Sequence, residues 1–440
     1  MRKKILIFFI LSCSYLKCQD SIDQIKKDSI TSLDEVIIKS NTILGSKFVA
    51  KNRTGAAYYL SIEELAKFNY TDINRALNKI SGINVYEEDG FGLRPNISIR
   101  GTSPERSSKI AIMEDGVLIS PAPYSASSAY YFPSVARMHA VEVLKGSSQI
   151  QYGPYTTGGA INFVSTEIPD SFKGKVVSSY GSFNTGQLHS TFGNQTKNFG
   201  YMLEYLNYNS NGFKSLGNNM NTGFDINEIT SKIRFKSSEK AKNKQSLEFK
   251  FHTYDEVSNE TYLGLTESDF NNNPYLRYSA SEKDKMNAEH NQYMLTHEFN
   301  FSEKFKISSN LYYNGFKRNW YKLDDVVFEG NSQKISKVIE NPSQYPAHLS
   351  IIKGTLNGSN NSLKVKANNR EYISRGVQTK IDYHWYGKNK SFNDLEIGFR
   401  LHYDEEDRFQ WEDIYNINNG FMSLADYGSP GAQGNRVSYA

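Results

Sequence analysis

Side chains able to carry covalent or metal chemistry are few in these 440 residues: two cysteines, Cys13 and Cys18, and eight histidines. Both cysteines precede Gln19 and the histidines are scattered, so neither type builds a cluster with ligand spacing. The sequence has no HExxH, no G-x-S-x-G and no glycine loop ending in Lys-Ser or Lys-Thr. Hydrolytic, metal-assisted and phosphoryl-transfer chemistry find no residues here, and the chain reads as a non-enzyme without a cofactor. What remains is chemistry of the backbone. The segment GSSQIQYGPYTTGGAINFVSTEIP, Gly146 to Pro169, carries no catalytic side chain, but its glycines permit tight turns and close backbone approach. A phosphate cradle would need a lysine and a following helix that it lacks. In LDEVIIKS, Leu33 to Ser40, the β-prone run Val36, Ile37 and Ile38 follows two acids and an unpatterned polar stretch, residues 19–32. Such an island can join another protein's sheet edge through main-chain hydrogen bonds, or it can open the next domain as an ordinary strand.

The surrounding elements divide the chain in three. At the start, Arg2, Lys3 and Lys4 precede an apolar run from Ile5 to Leu11, far short of the ~20 residues of a membrane-spanning helix. Residues 1–18 are expected to be a secretory signal peptide cleaved near Cys18; ILSC, Ile10 to Cys13, leaves a poorly matched lipoprotein site open. From Tyr58 to Pro169 the pattern is α+β. Ser61 and Glu64 form a capping box, and Thr71 precedes a second helical run, Ile73, Ala76, Leu77 and Ile80, that Gly82 stops. Short strands follow, NISIRG, KIAIMEDGVLI, AVEVLKG and GAINFVS, with a hairpin signal at Asp115-Gly116.

Beyond Gly174 no helical period persists, and long runs alternate instead. SLEFKFHTY sets Leu247, Phe249 and Phe251 against Glu248, Lys250 and His252. LEIGFRLHY sets Leu395, Ile397, Phe399, Leu401 and Tyr403 against Glu396, Arg400 and His402, and VQTKIDYHW repeats the pattern from Val377 to Trp385. Runs of this length with 30 Tyr and 26 Phe in the chain fit strands that cross a membrane at a tilt, aromatic faces to lipid and charged faces to a lumen. The mean hydropathy of -0.58 argues against membrane helices and leaves such a barrel open. The histidines His252, His384 and His402, on polar strand faces, are expected to face the lumen or solvent. NFSEK, Asn300 to Lys304, reads as a tight turn, and the polar stretch from Lys322 to Arg370 as a long loop. The net charge of +4, with acids and bases interspersed, makes no case for nucleic acid.

ISIRG, MEDGVLI, VEVLKGSSQIQYGP and TTGGAINFVS resemble, in order and spacing, the plug domain of TonB-dependent outer-membrane receptors, and LDEVIIKS resembles the TonB box that precedes it. RPNISIRGTSPERSSKI, APYS and YGPYTTGGAINFVSTEIP are most similar to the ferric citrate (iron dicitrate) receptors. The resemblance implies an α+β plug domain inside a transmembrane antiparallel β-barrel of 22 strands. It implies active import of a ferric chelate, iron(III) dicitrate foremost, across the outer membrane of a Gram-negative cell, driven by the TonB complex of the inner membrane. Iron would travel as cargo in its chelate.

On that reading residues 19–45 are a flexible segment with the TonB box at 33–40, residues 46–169 the plug, and residues 170–440 the N-terminal part of the barrel. Leu33, Asp34, Glu35, Val36, Ile37 and Ile38 would meet TonB. An anionic chelate calls for cations and amide or hydroxyl donors. The plug candidates are Arg94, Arg106, Tyr124, Gln149 and Gln151; from the barrel come Arg318, Arg370, Arg375 and Arg408. Arg100 and Lys145 are expected to pair plug with wall. Roughly nine strands are legible, and the last residues, NRVSYA, lack the family's terminal aromatic strand, so a truncated chain is expected. The short segment before the TonB box makes a signalling domain doubtful. The same architecture could serve another siderophore, a nickel chelate or a cobalamin, with or without a surface lipoprotein; a passive porin or adhesion barrel would need neither plug nor box.

Overall fold

The computed structural model describes residues 41–67, 72–119, 131–154, 157–217, 220–259, 261–387 and 391–426. The expected signal peptide, the Leu33–Ser40 peptide, Thr71 and Tyr124 lie outside the described residues.

The first part is the expected α+β unit. Helix α1 (Lys47–Asn52) is capped by Ser46, whose Oγ accepts from the Val49 N–H at 3.2 Å. Strand β1 (Ala56–Leu60) leads to α2 (Ile62–Ala66), where the Glu64 carboxylate reaches back to the Ser61 N–H at 3.1 Å as the capping box requires. The cap of α3 (Ile73–Leu77) is Asp72, whose carboxylate accepts the Asn74 N–H at 2.7 Å. Strands β2 (Ile83–Tyr86) and β3 (Asn96–Ile99) pair as a ribbon. The main sheet contains β4 (Ile110–Glu114), β5 (Val117–Leu118), β6 (Met138–Lys145) and β7 (Gly159–Ser165) in the order β1-β6-β7-β4-β5, with only β4 and β7 parallel. Asp115 and Gly116 take φ of 53° and 76°, the left-handed pair that a two-residue hairpin of matching twist demands. Leu60, Leu77, Ile97, Ile112, Val143 and Phe163 fill the core between helices and sheet.

The second part is one antiparallel sheet of much longer strands. In chain order they are β8 (Lys173–Gly181), β9 (Thr185–Gln195), β10 (Phe199–Ser210), the two-residue β11 (Ser215–Leu216), β12 (Phe224–Lys236) and β13 (Lys244–Ser258). Helix α4 (Glu267–Asn272) and β14 (Leu276–Arg277), which pairs with β11, lie in a connection before β15 (Lys285–Ser302) and β16 (Phe305–Phe328). Then come β17 (Asn331–Lys334), α5 (Ile335–Glu340), α6 (Pro346–Lys353), β18 (Gly358–Tyr386), β19 (Phe392–Asn418) and β20 (Phe421–Asp426). Each long strand pairs with the next. Connections 196–198, 237–243 and 303–304 are short at one end; at the other, 211–223, 259–284 and 329–357 are long while 182–184 and 419–420 are short, so the long connections all lie at one end, as in an outer-membrane barrel.

The faces of this sheet are inverted relative to a soluble one. Leu247 and Phe249 on β13 are 41% and 42% exposed, while Lys250 and His252 on the opposite face are fully buried. Leu395, Ile397, Phe399, Leu401 and Tyr403 are likewise exposed along β19. Apolar side chains face outward and the charged face is covered by the α+β unit, an arrangement that water would oppose and a bilayer would favour. His252 therefore faces inward as expected, but it is filled in rather than solvated: its ring meets Tyr131 Oη at 3.1 Å and Thr230 Oγ1 at 3.0 Å.

The stretch from Lys322 to Arg370 departs from the expected long polar loop. Strands β16 and β18 continue through much of it, and two short helices and a hairpin close it. Val326, Val338, Ile351, Ile352, Leu363 and Ile417 supply a small apolar core that its polar average conceals. α4, α5 and α6 are likewise too short to leave a helical period in the sequence.

Candidate functional site

Two charged layers join the α+β unit to the wall. The lower one is fully buried. Arg137, on the turn entering β6, places Nη1 2.7 Å and Nη2 2.9 Å from the two carboxylate oxygens of Glu114 on β4, and its Nε lies 2.6 Å from Glu228 on β12. Lys250 of β13 reaches Glu114 at 2.5 Å and Asp115 at 2.6 Å, with Lys232 4.0 Å from Asp115. Burial alone would raise the Glu114 carboxyl, but Arg137 and Lys250 hold it well below the usual carboxylate range. Asp115 is lowered in the same way, against its burial, by Lys250 and Lys232. Nearby, Asn314 and Gln378 of the wall donate to Leu118 O and Gly116 O at 3.2 Å and 2.9 Å. Buried pairs of this kind are tolerated only when every charge is met, so they fix one register between the two parts.

Sequence reasoning missed this layer and named the wrong basic residues for it. Lys145 Nζ donates to Ser81 O at 2.6 Å and the Arg100 guanidinium lies against Gly146, both inside the α+β unit. The plug cations that do cross are Arg137 and Arg94, and Lys250 and Lys232 cross from the wall. The available signal was MEDG: two adjacent acids at the tip of an otherwise apolar hairpin require cations opposite them.

A second feature anchors the chain at residues 43–45. The Glu142 carboxylate on β6 accepts the backbone N–H groups of Ile43, Leu44 and Gly45 at 2.8, 3.0 and 2.7 Å, and Asn162 Nδ2 at 2.8 Å. Burial pushes this carboxyl up, against the pull of those donors.

The upper layer is an arginine row. Register pairs Arg318 on β16 with Arg370 on β18, and Arg370 with Arg408 on β19, all on the inward face. Glu406 is the carboxylate nearest two of them, 3.9 Å from Arg370 and 3.4 Å from Arg408. Arg318 and Arg370 also donate to Asn368 O at 3.2 Å and Asn369 O at 2.9 Å, and the Tyr372 hydroxyl bonds both. Close by, Arg106 lies 6.0 Å from the Trp320 ring, and Lys322 lies 4.3 Å from that ring and 3.6 Å from the Tyr262 ring. Cations exceed carboxylates here, an arrangement that suits a multiply charged anion.

The predicted ligand residues divide accordingly. Arg318, Arg370 and Arg408 are brought together. Arg106 joins them while paired with Glu88 at 3.1 Å. Arg94 is instead a clamp between the two parts: its guanidinium is buried against Glu256 of β13, whose carboxylate also accepts from Tyr254 Oη, while the Arg94 N–H is held by Asp89 at 2.7 Å. Gln149 is buried in the turn after β6. Gln151 lines a separate hollow with Ser308, Asn310, Lys380 and Glu396 near the tight connections, away from Arg106. Arg375 is on the outward face and exposed, because it is offset by an odd number of residues from Arg370.

Residues 50–160 match the family model of the TonB-dependent Receptor Plug Domain. Among solved structures, the unliganded ferric citrate transporter FecA is 19% identical with a TM-score of 0.66, over 88% of this chain and 52% of that one. The FpvA receptor of P. aeruginosa bound to a heterologous pyoverdine with iron gives 14% and 0.62, over 86% and 47%. The ferric-catecholate import receptor Fiu of E. coli K12 in its open form gives 12% and 0.56, over 88% and 54%. At these identities the likeness establishes the fold: a plug domain against the wall of a TonB-dependent receptor barrel. The chain spans about half the length of these solved receptors.

Proposed function

We propose that this chain belongs to a receptor that imports an anionic ferric chelate across the outer membrane, with the Leu33–Ser40 peptide drawing on the TonB complex for energy. The observation that carries this reading is the inward row Arg318, Arg370 and Arg408 beside Arg106 of the plug. Arginine presents two parallel N–H groups to a carboxylate, so a row of three suits a chelate whose iron is wrapped in carboxylates, and iron(III) dicitrate is the cargo of choice. The signal peptide and outer-membrane location belong to the same reading. The buried lower layer is consistent with transport rather than free diffusion, since a filled lumen opens only if work is done on the plug.

The exposed Tyr262, backed by the buried Trp320, favours a second cargo, a chelate with an aromatic arm that would stack on Tyr262. The test is uptake of radioactive iron, as citrate or as a catecholate chelate, by cells carrying the full-length gene. Citrate uptake that is lost on deleting residues 33–40 and falls at least tenfold in an Arg318→Gln, Arg370→Gln double variant supports the dicitrate reading. Uptake of the catecholate alone moves the assignment to the aromatic cargo. Uptake indifferent to both changes overturns the function.

A further inference from the structure

We propose that the hollow beside Gln151 is a second binding station for the anionic chelate, entered in transit, with Arg400 as the residue that takes a carboxylate there and residues 42–43 as the part of the plug that closes it. This rests on the uptake reading above. The hollow measures about 510 Å³, the size of a small-molecule site, and lies between the plug and the inward face of β16, β18 and β19. Ser308, Lys380, Glu396 and Arg400 line it from the wall, and Thr42, Ile43, Gln151 and Tyr152 from the plug. Arg400 and Arg408 share the inward face of β19 eight residues apart, roughly 27 Å along the strand, so a chelate held by the upper arginine row does not touch Arg400. The wall between them stays polar: His402 Nδ1 lies 2.7 Å from Tyr312 Oη, and its Nε2 lies 2.8 Å from Asp404.

The two cations of the hollow differ in what they meet. Lys380 is matched within the wall, 2.8 Å from Glu396 and 3.3 Å from Asp382. Arg400 instead donates to the backbone carbonyl of Gly153, and among the described residues no carboxylate lies within ion-pair distance of it. A carboxylate offers a guanidinium two parallel bonds and an opposite charge, so it displaces a neutral carbonyl. The contact that blocks Arg400 is also the one that tension would undo. Thr42 and Ile43 follow Ser40 by two and three residues, and Ile43 packs with Tyr152 around Leu44. Drawing residues 42–45 away from Glu142 therefore removes one side of the hollow and the packing that keeps Gly153 against Arg400. The station is closed at rest and opens with the same movement that releases the plug.

The experiment uses the full-length protein purified in a mild detergent, with and without residues 33–45, and equilibrium dialysis against citrate carrying radioactive iron(III). The intact protein should hold one chelate, and the shortened one a second. In the shortened protein Arg400→Gln should weaken the second about tenfold, Arg400→Lys should restore part of it, and Glu396→Gln, which frees Lys380, should tighten it; a purely structural role for Arg400 gives no such tightening. The Arg318→Gln, Arg370→Gln double variant should lose the first chelate and keep the second. Equal occupancy with and without residues 33–45, or a second chelate indifferent to Arg400→Gln, overturns the proposal. Cells carrying the full-length gene give a measurement that does not depend on the shortened protein folding: the ratio of energised uptake to binding at the surface should fall about tenfold in Arg400→Gln, and an unchanged ratio also overturns the proposal. An intact protein that binds no ferric citrate defeats the dicitrate reading and the station with it, whereas one chelate at the upper row and none below defeats the station alone.

Discussion

Arg137 shows how much one residue holds in place. It satisfies Glu114 and Glu228 together, from opposite sides of the boundary between plug and wall. Arg137→Leu would leave two buried carboxylates short of their partner, a loss of roughly 3–5 kcal/mol. We expect amide exchange in β4 and β6, followed by mass spectrometry, to accelerate strongly in that variant, whereas replacing the half-exposed Arg234 of the Arg234–Glu248 pair on the wall should change little. Asp284 makes a different prediction, in pH. Burial pushes its carboxyl from the ordinary 3.8 up to about 8, although it accepts the Leu323 N–H at 2.8 Å. The folded loop thus binds this proton more tightly than the unfolded chain. Its contribution is fully present below the unfolded value, falls as pH rises through the interval to about 8, and is flat above. Protection of the amides around Leu323 should follow that course in the wild type, after correction for intrinsic exchange, and lose it in Asp284→Asn; a variant with an unchanged pH profile would show that another group is responsible.

Among the elements, the segment 43–45 and β6 form a unit in which one carboxylate ties down three consecutive amides. On the proposed function, tension applied through Leu33–Ser40 would reach Glu142 before it reached the sheet. Glu142→Gln retains size and one acceptor but loses the charge that strengthens those bonds, worth roughly 1–3 kcal/mol in all. We expect amides 43–45 to exchange about ten times faster or more in the variant. Unchanged exchange would mean that packing of Leu44, rather than Glu142, secures the segment. The loop core of Val338, Ile351 and Ile352 under α5 and α6 obeys a simpler rule: Ile352→Ala should cost about 2–5 kcal/mol locally, visible as protease cleavage within 329–357.

On the scale of the whole molecule the two faces of the wall answer to different solvents. Leu311 faces outward and its neighbour Asn310 inward, where Thr296 Oγ1 donates to it at 2.8 Å. Leu311→Lys should cost about 2–4 kcal/mol in the membrane and lower the assembled fraction, measured as protein resistant to urea extraction from outer membranes. Asn310→Gln, one residue away, keeps a polar inward side chain and should assemble nearly as well as the wild type. Equal assembly of both variants would contradict an outward lipid face. The uptake experiment addresses the inward face from the side of function.

Local pattern made several features legible: the capping box at Ser61 and Glu64, the Asp115-Gly116 hairpin, the inward turn of Lys250 and His252, and the plug motifs. Each depends on neighbours in sequence or on a period of two, so the sequence alone determines it. The same parity, once Arg370 is known to face inward, sends Arg375 outward, but register between strands had to be seen before the two could be told apart. Partners were the part that only the tertiary structure decided. Which cation meets Glu114, that Arg94 is consumed by Glu256, and that Arg318, Arg370 and Arg408 stand abreast are facts about residues tens to hundreds of positions apart. A charge in a sequence carries no record of what it will face; burial selects the partner, because only a matched pair can leave water.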